Sequence, residues 1–355
     1  MKQLARRFED FEKISRPEFE HPDEPTLLGW ILVGFVLVVT AALWFYATPA
    51  YLFYFFELGP HPEWAEGGHI LGDGTVPGRR PGEVAIVMFD VGYGDGFLFQ
   101  SPDNWTVLVD GGEGRQPVRE GVRAYNWAYR LYLPLFDRIG LQKLDKLINL
   151  VPASHHAGVY PDLVSETALE VGKIYLTGYR SHAYSFRRLQ VEAEEQGVPV
   201  KRLQPGQALD FGRGPKARII YGDSDRRRPA EASHILLFKY GEITLLMAAD
   251  LPVEGERKLI MEWGESLASQ LLKVADHGSE AATSRELLEY VAPAYALIST
   301  SPDGPEKLPA FSVLQNLQMA GANQLFRTDM DGHVAFYTDG ETIRIDKDPF
   351  PFLTP

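Results

Sequence analysis

Apolar residues fall along this chain in two kinds of run. The first is a single uninterrupted stretch from Leu27 to Ala47, LLGWILVGFVLVVTAALWFYA, without one charged residue. At ~1.5 Å per residue a helix over this stretch measures about 31 Å, the thickness of a bilayer's hydrocarbon core. It has no polar face, and Trp30, Trp44, Phe45 and Tyr46 lie near its ends, where aromatic belts form. Lys2, Arg6, Arg7, Lys13 and Arg16 precede it, and no Lys or Arg follows until Arg79. The positive-inside rule then puts the N-terminus in the cytoplasm and residues 50–355 outside it. The long charged leader argues against a cleaved signal peptide.

The second kind of run is short and repeats from Val84 onward. VAIVMF (84–89), GFLFQ (96–100), TVLVD (106–110), KLINLV (146–151), KIYL, ARIIY, HILLFKY, ITLLMAA, SQLLKVA (269–275), YALIST (295–300), QLFRT, HVAFYT and TIRI have strand length and are bounded by turn residues. Gly241-Glu242 between HILLFKY and ITLLMAA reads as a hairpin turn. Helical periodicity covers 122–140, with Pro134 as a kink, and 161–171, 184–196, 283–291 and 310–321. Thr283-x-x-Glu286 reads as a capping box, and Gly321 closes the 310–321 helix. Strands interspersed with helices, with hairpins in both halves, predict a mixed αβ domain of two sheets covered by helices. The expected organisation is a cytoplasmic tail at 1–26, a transmembrane helix at 27–47, a Gly/Pro-rich linker at 48–83, the folded domain at 84–346 and a C-terminal tail at 347–355.

Composition narrows the function. A net charge of −13 and a pI near 5.2 argue against broad, nonspecific nucleic-acid binding, which needs a basic footprint. Arg226, Arg227 and Arg228 read as a solvated loop. With no cysteine there is no disulfide, thiolate ligand or Cys nucleophile.

Ligand-type residues gather at strand ends. Asp90 and Asp95 frame DVGYGD, Asp110 opens DGG, His155 and His156 follow KLINLV, Asp250 ends LLMAAD, and Asp276 and His277 follow LLKVA. Carboxylates and imidazoles are ligands of Zn²⁺ and similar ions. Singly, each reads as a turn or capping residue. Their recurrence after apolar strands points to one shared rim. Ser279 reads as a cap, since no base is assignable beside it.

FDVGYGDGFLFQSPDNWTVLVDGGEG, LLMAAD, LLKVADHGSEAATSRELLEYVAPAYALIST and LFRTDMDGHVAFYTDG together resemble the metallo-β-lactamase domain of the ComEC competence-protein family, over about 84–345. The resemblance implies an α+β, four-layer αββα metallo-β-lactamase-like sandwich with metals at one sheet edge, and phosphodiester cleavage in a DNA-uptake context. It also implies a bacterial-type cell membrane. With a single span the chain is expected not to form a DNA-conducting pore, and a protein partner near the membrane surface is expected.

Departures from the family pattern fall on the ligands. In T-H-x-D/H-x-D-H-x-G-G, with the last His on His156, the earlier ligand positions fall on Val151 and Ala153, and the Asp falls on His155. The first His of H-H-G-S is Asp276, Leu308 stands where a His is expected, and Tyr93 replaces the Gln of D-V-G-Q-G-D. One ion, Zn²⁺ or Mn²⁺ if any, is left with His156, Asp250 and His277, together with Asp276 or His155. Asp90, Asp95 and Asp110 shape the site. On an extended strand His155 and His156 would point to opposite faces, so both reach one site only if the chain bends. Three readings stay open: a domain that has lost catalysis and serves binding or scaffolding, a mononuclear metal-dependent hydrolase, and an enzyme of different chemistry.

Overall fold

The computed structural model describes residues 72–114, 126–225, 228–302, 304 and 307–353. The tail at 1–26 and the span at 27–47 lie outside them. Among the described residues no helix is long and apolar enough to cross a membrane.

The chain opens with a meander of β1 (Val84–Met88), β2 (Gly96–Gln100) and β3 (Thr106–Asp110). After α1 (Leu133–Ile139) come β4 (Lys143–Leu144) and β5 (Lys146–Ile148). Then follow α2 (Ser154–Ala157), α3 (Tyr160–Ser165), β6 (Glu170–Val171), β7 (Ile174–Leu176), α4 (Tyr184–Glu195) and β8 (Val200–Arg202). The second half holds β9 (Ala208–Leu209), β10 (Lys216–Gly222), β11 (His234–Tyr240), β12 (Ile243–Met247), α5 (Val253–Trp263) and β13 (Leu271–Lys273). It continues through α6 (Arg285–Val291), β14 (Tyr295–Ile298), α7 (Phe311–Met319), β15 (Gln324–Arg327) and α8 (Thr328–Asp331). The chain then returns to the first sheet as β16 (Val334–Thr338) and β17 (Ile343–Asp346).

Strand order is β17-β16-β1-β2-β3-β5-β7-β8 in one sheet and β15-β14-β13-β12-β11-β10-β9 in the other. Alternation along the strands builds the layers. Val84, Ile86 and Met88 of β1 join the core shared with the second sheet, while Ala85 and Val87 join a separate core with α1, α3 and α4. The second sheet's other face is covered by Leu259 of α5, Leu287 and Val291 of α6, and Leu317 of α7. Four layers result, helix–sheet–sheet–helix. Because both faces are buried, these strands read as apolar runs rather than as alternating ones.

Several boundaries move for local reasons. The strand expected over 146–151 leaves the ladder after Ile148, because the Asn149 side chain and the Leu150 N–H both donate to Asp110. The helix expected over 161–171 ends at Ser165, and Glu170–Val171 pairs with Lys143–Leu144 instead. The described part of 122–140 begins with a π-helical turn, Ala128–Tyr132, leading into α1. Pro134 sits in the first turn of α1, where a missing N–H costs nothing. The Gly241 hairpin forms, with Tyr240 opposite Ile243 and Gly241 at φ +56°.

The capping box shifts by one residue. Ser284, not Thr283, caps α6, its hydroxyl accepting from Leu287 N–H at 3.2 Å. The reciprocal acceptor comes from α5: the buried Glu256 carboxylate takes the N–H groups of Thr283 and Ser284. Residues 72–83 pack on the domain through Val76 N–H donating to Gln100 Oε1 (2.8 Å) and Gln100 Nε2 donating to Gly74 O (2.7 Å). Replacing Glu256 by Ala strands one buried and one half-buried donor and should cost about 2 kcal/mol, read as a lower urea midpoint at unchanged slope.

Candidate functional site

The rim lies where β1, β3, β5, β12, β13 and β14 end, the usual place for a site on parallel strands. Four residues there hold left-handed backbone: Asp110 (φ +50°), Ala249 (φ +51°), Asp276 (φ +47°) and His277 (φ +54°). Such conformations are costly for residues other than glycine and persist where the surroundings impose them. The carbonyl of Ala249 accepts from both Asp276 N–H (3.0 Å) and Lys273 Nζ (2.9 Å), which fixes the turn that aims Asp250 inward.

The segment holding His155 and His156 is not extended. Ser154–Ala157 forms a helical turn, held against the β3 end by Gly111 N–H donating to His156 O (2.6 Å) and Gly158 N–H to Gly112 O (3.0 Å). The bend brings both imidazoles to the same rim, with ring centroids 4.5 Å apart. His155, His156, Asp250 and His277 each present a ligand atom within 4.8 Å of the others. Asp95, Asp110 and His156 form a second such group.

His156 is wholly buried between two carboxylates. Its Nδ1 lies 3.2 Å from Asp110 Oδ2 and its Nε2 3.1 Å from Asp250 Oδ2. Burial works against its charge, but Asp250 and Asp110 outweigh this and raise its pKa to about 10. Burial likewise opposes ionisation of Asp250, yet His156, His277 and Lys273 hold it well below the usual carboxylate range. Burial pushes the pKa values of His277 and His155 down. The His277 Nδ1–H donates to Ser299 O at 2.9 Å, leaving its Nε2 lone pair on the side of the cluster.

Sequence reasoning assigned no role to Lys273. It is fully buried, and its ammonium contacts Asp95 and lies 3.8 Å from Asp250 Oδ1. Burial lowers its proton affinity, but Asp95 and Asp250 more than compensate and raise its pKa. The signal was present in LLKVA, a lysine inside an apolar strand, because buried lysines require a partner.

Other expected site residues stand apart from the cluster. Asp90 makes an Asx turn to Gly92 N–H (3.1 Å), and its own N–H donates to His333 Nδ1 (3.0 Å). Asp276 is half-buried and joins neither ligand group. Val151 is buried in the core between the sheets, and Ala153 packs at that core's edge.

A metal ion fits these residues. Three buried atoms from three loops, His156 Nε2, Asp250 Oδ1 and His277 Nε2, have no hydrogen-bond partner. The close His156–Asp250 approach therefore lacks hydrogen-bond alignment. Buried polar atoms are normally satisfied, and a cation would satisfy all three. Val151 and Ala153 offer nothing to a second ion.

Over 260 residues the chain is 25% identical to ComE operon protein 3 of Bacillus subtilis (strain 168), and over 262 residues 27% identical to competence protein ComA of Neisseria gonorrhoeae. The domain resembles the ComEC-type competence proteins. Each alignment covers 72% of this chain but 33% and 32% of the relatives, so the chain spans about a third of their length. No protein-family model matches. Among solved structures, the metallo-β-lactamase fold protein YhfI from Bacillus subtilis overlays with a TM-score of 0.45 at 15% identity, covering 74% of this chain and 100% of YhfI. Tm1679, a metal-dependent hydrolase of the β-lactamase superfamily, overlays with a TM-score of 0.43 at 9% identity, covering 69% of this chain and 96% of Tm1679. These overlays are loose, and the layers of the ComEC-like domain stand on its own strand order. The architecture is a mixed αβ one of four layers.

His333 ties pH to the loop that carries Asp90 and Asp95. Burial lowers its pKa from 6.5 to about 4, and its Nδ1 accepts a hydrogen bond only when unprotonated. Its stabilising contribution is thus complete above pH 6.5 and lost as pH falls through 4. Urea midpoints of the wild type should fall across that window relative to His333→Gln, and parallel curves for the two would show that His333 is not the titrating group.

Proposed function

We propose that this is a ComEC-like extracytoplasmic domain, tethered to the membrane by residues 27–47, that keeps one metal position and has exchanged hydrolysis for binding or scaffolding. The observation that carries this reading is the pair Val151 and Ala153, apolar where the resembled motif has ligands, with Val151 sealed in the core. An ion fixed by His156, Asp250 and His277, with His155 beside them, lacks the second cation that would share a substrate's charge. DNA uptake supplies the context by resemblance to ComE operon protein 3 and ComA. A protein partner supplies whatever chemistry the domain itself lacks.

A second reading is favoured by the three unpartnered lone-pair atoms. In it the site is a mononuclear hydrolase centre of Zn²⁺ or Mn²⁺ type acting on phosphodiesters. The bound ion would acidify water. The chain's own residues would hold that geometry: Asp110 orients His156, Ser299 O fixes the His277 tautomer, and Lys273 neutralises Asp95 and steadies the Asp250 turn.

Elemental analysis of the full chain should give one equivalent of divalent transition metal, lost in His277→Ala. Bis(p-nitrophenyl) phosphate should not be turned over with added Zn²⁺ or Mn²⁺. Turnover that disappears in His277→Ala selects the hydrolase reading, and two equivalents of bound metal would overturn both. Deleting residues 27–47 should move the chain from the membrane pellet to the supernatant, and a chain that stays in the pellet contradicts the anchor.

A further inference from the structure

Tyr93 stands where the cluster approaches solvent. His156, Asp250 and His277 are buried, and His155 is the half-buried member of the group. The half-buried Tyr93 ring lies 4.9 Å from the His155 ring, tilted by 31°, and 4.5 Å from the His277 ring, tilted by 49°. Those two histidines come from opposite sheets, so one phenol ring covers the seam between them.

The loop that carries Tyr93 is tied down on both sides. Gly92 (φ +68°) is held by the Asp90 carboxylate, and Asp90 in turn by His333. Gly94 (φ +145°) presses on the α2 turn so closely that a Cβ there would collide with the His155 carbonyl oxygen. With the backbone fixed, Tyr93 can leave the seam only by rotating its side chain.

We propose that Tyr93 governs access to this rim: its ring, lying over His155 and His277, shields both imidazoles from solutes. The claim about access rests on the rim geometry. Its bearing on a metal rests on the reading above, and the two are tested separately.

The test treats the metal-free full chain with diethylpyrocarbonate, which acylates neutral imidazoles, and reads each site by peptide mass spectrometry. Tyr93→Ala and Tyr93→Gln should each speed modification of His155 and His277 by about tenfold, and Tyr93→Phe should stay within about twofold of wild type, because reactivity follows exposure. His234, buried elsewhere on the rim, reports the fold and should remain protected. Should Tyr93→Ala unfold and expose His234, Tyr93→Gln carries the test, since it restores the residue of the resembled motif. Unchanged rates at His155 and His277 in a Tyr93→Gln chain with His234 protected would overturn the proposal. A second arm loads Zn²⁺ and follows its release to 4-(2-pyridylazo)resorcinol, which should be about tenfold faster in Tyr93→Gln. A wild type that binds no zinc defeats the metal reading and leaves the acylation result standing.

Discussion

One buried ionic chain holds the two sheets together at the rim. Asp95, Asp110 and His156 belong to loops of the first sheet, and Asp250 and Lys273 to the second. Lys273 contacts Asp95 and lies near Asp250, and His156 stands between Asp250 and Asp110. All five side chains are almost wholly removed from water. Ions this deep are tolerable only when paired, because desolvation of each costs several kcal/mol. Loss of one member would leave its partner charged and alone, so position and charge are fixed together.

The backbone shows the cost of this arrangement. Asp110, Ala249, Asp276 and His277 all adopt left-handed conformations within the loops that deliver the cluster. Hydrogen bonds at Ala249 O and Ser299 O over-determine these turns, and the strain persists because the surroundings leave no alternative. The same loops end their strands early. The Asn149 side chain and the Leu150 N–H turn to Asp110, and beyond them the chain bends and carries His155 and His156 to the rim.

Charge and satisfaction point in different directions at this site. Three carboxylates face two cations when His156 is protonated, which leaves the group close to balance without a metal. Yet His156 Nε2, Asp250 Oδ1 and His277 Nε2 remain without hydrogen-bond partners, and a cation that replaced the His156 proton would satisfy all three.

The amino-acid sequence by itself determined the elements and their burial. The apolar runs VAIVMF, HILLFKY and YALIST became strands to within two residues, because a strand buried on both faces needs little but hydrocarbon. It also marked the ligand-bearing ends: His155, His156, Asp250 and His277 converge, as do Asp95 and Asp110. Only the tertiary structure decided that Asp90 and Asp276 belong to neither ligand group, that Ser284 and Glu256 share the cap at α6, and that Lys273 lies inside the cluster. Those outcomes depend on contacts between residues distant along the chain, and on turns whose left-handed backbone no local propensity favours. The physical reason is that apolar periodicity is a property of neighbours in sequence, whereas the pairing of buried charges is a property of neighbours in space.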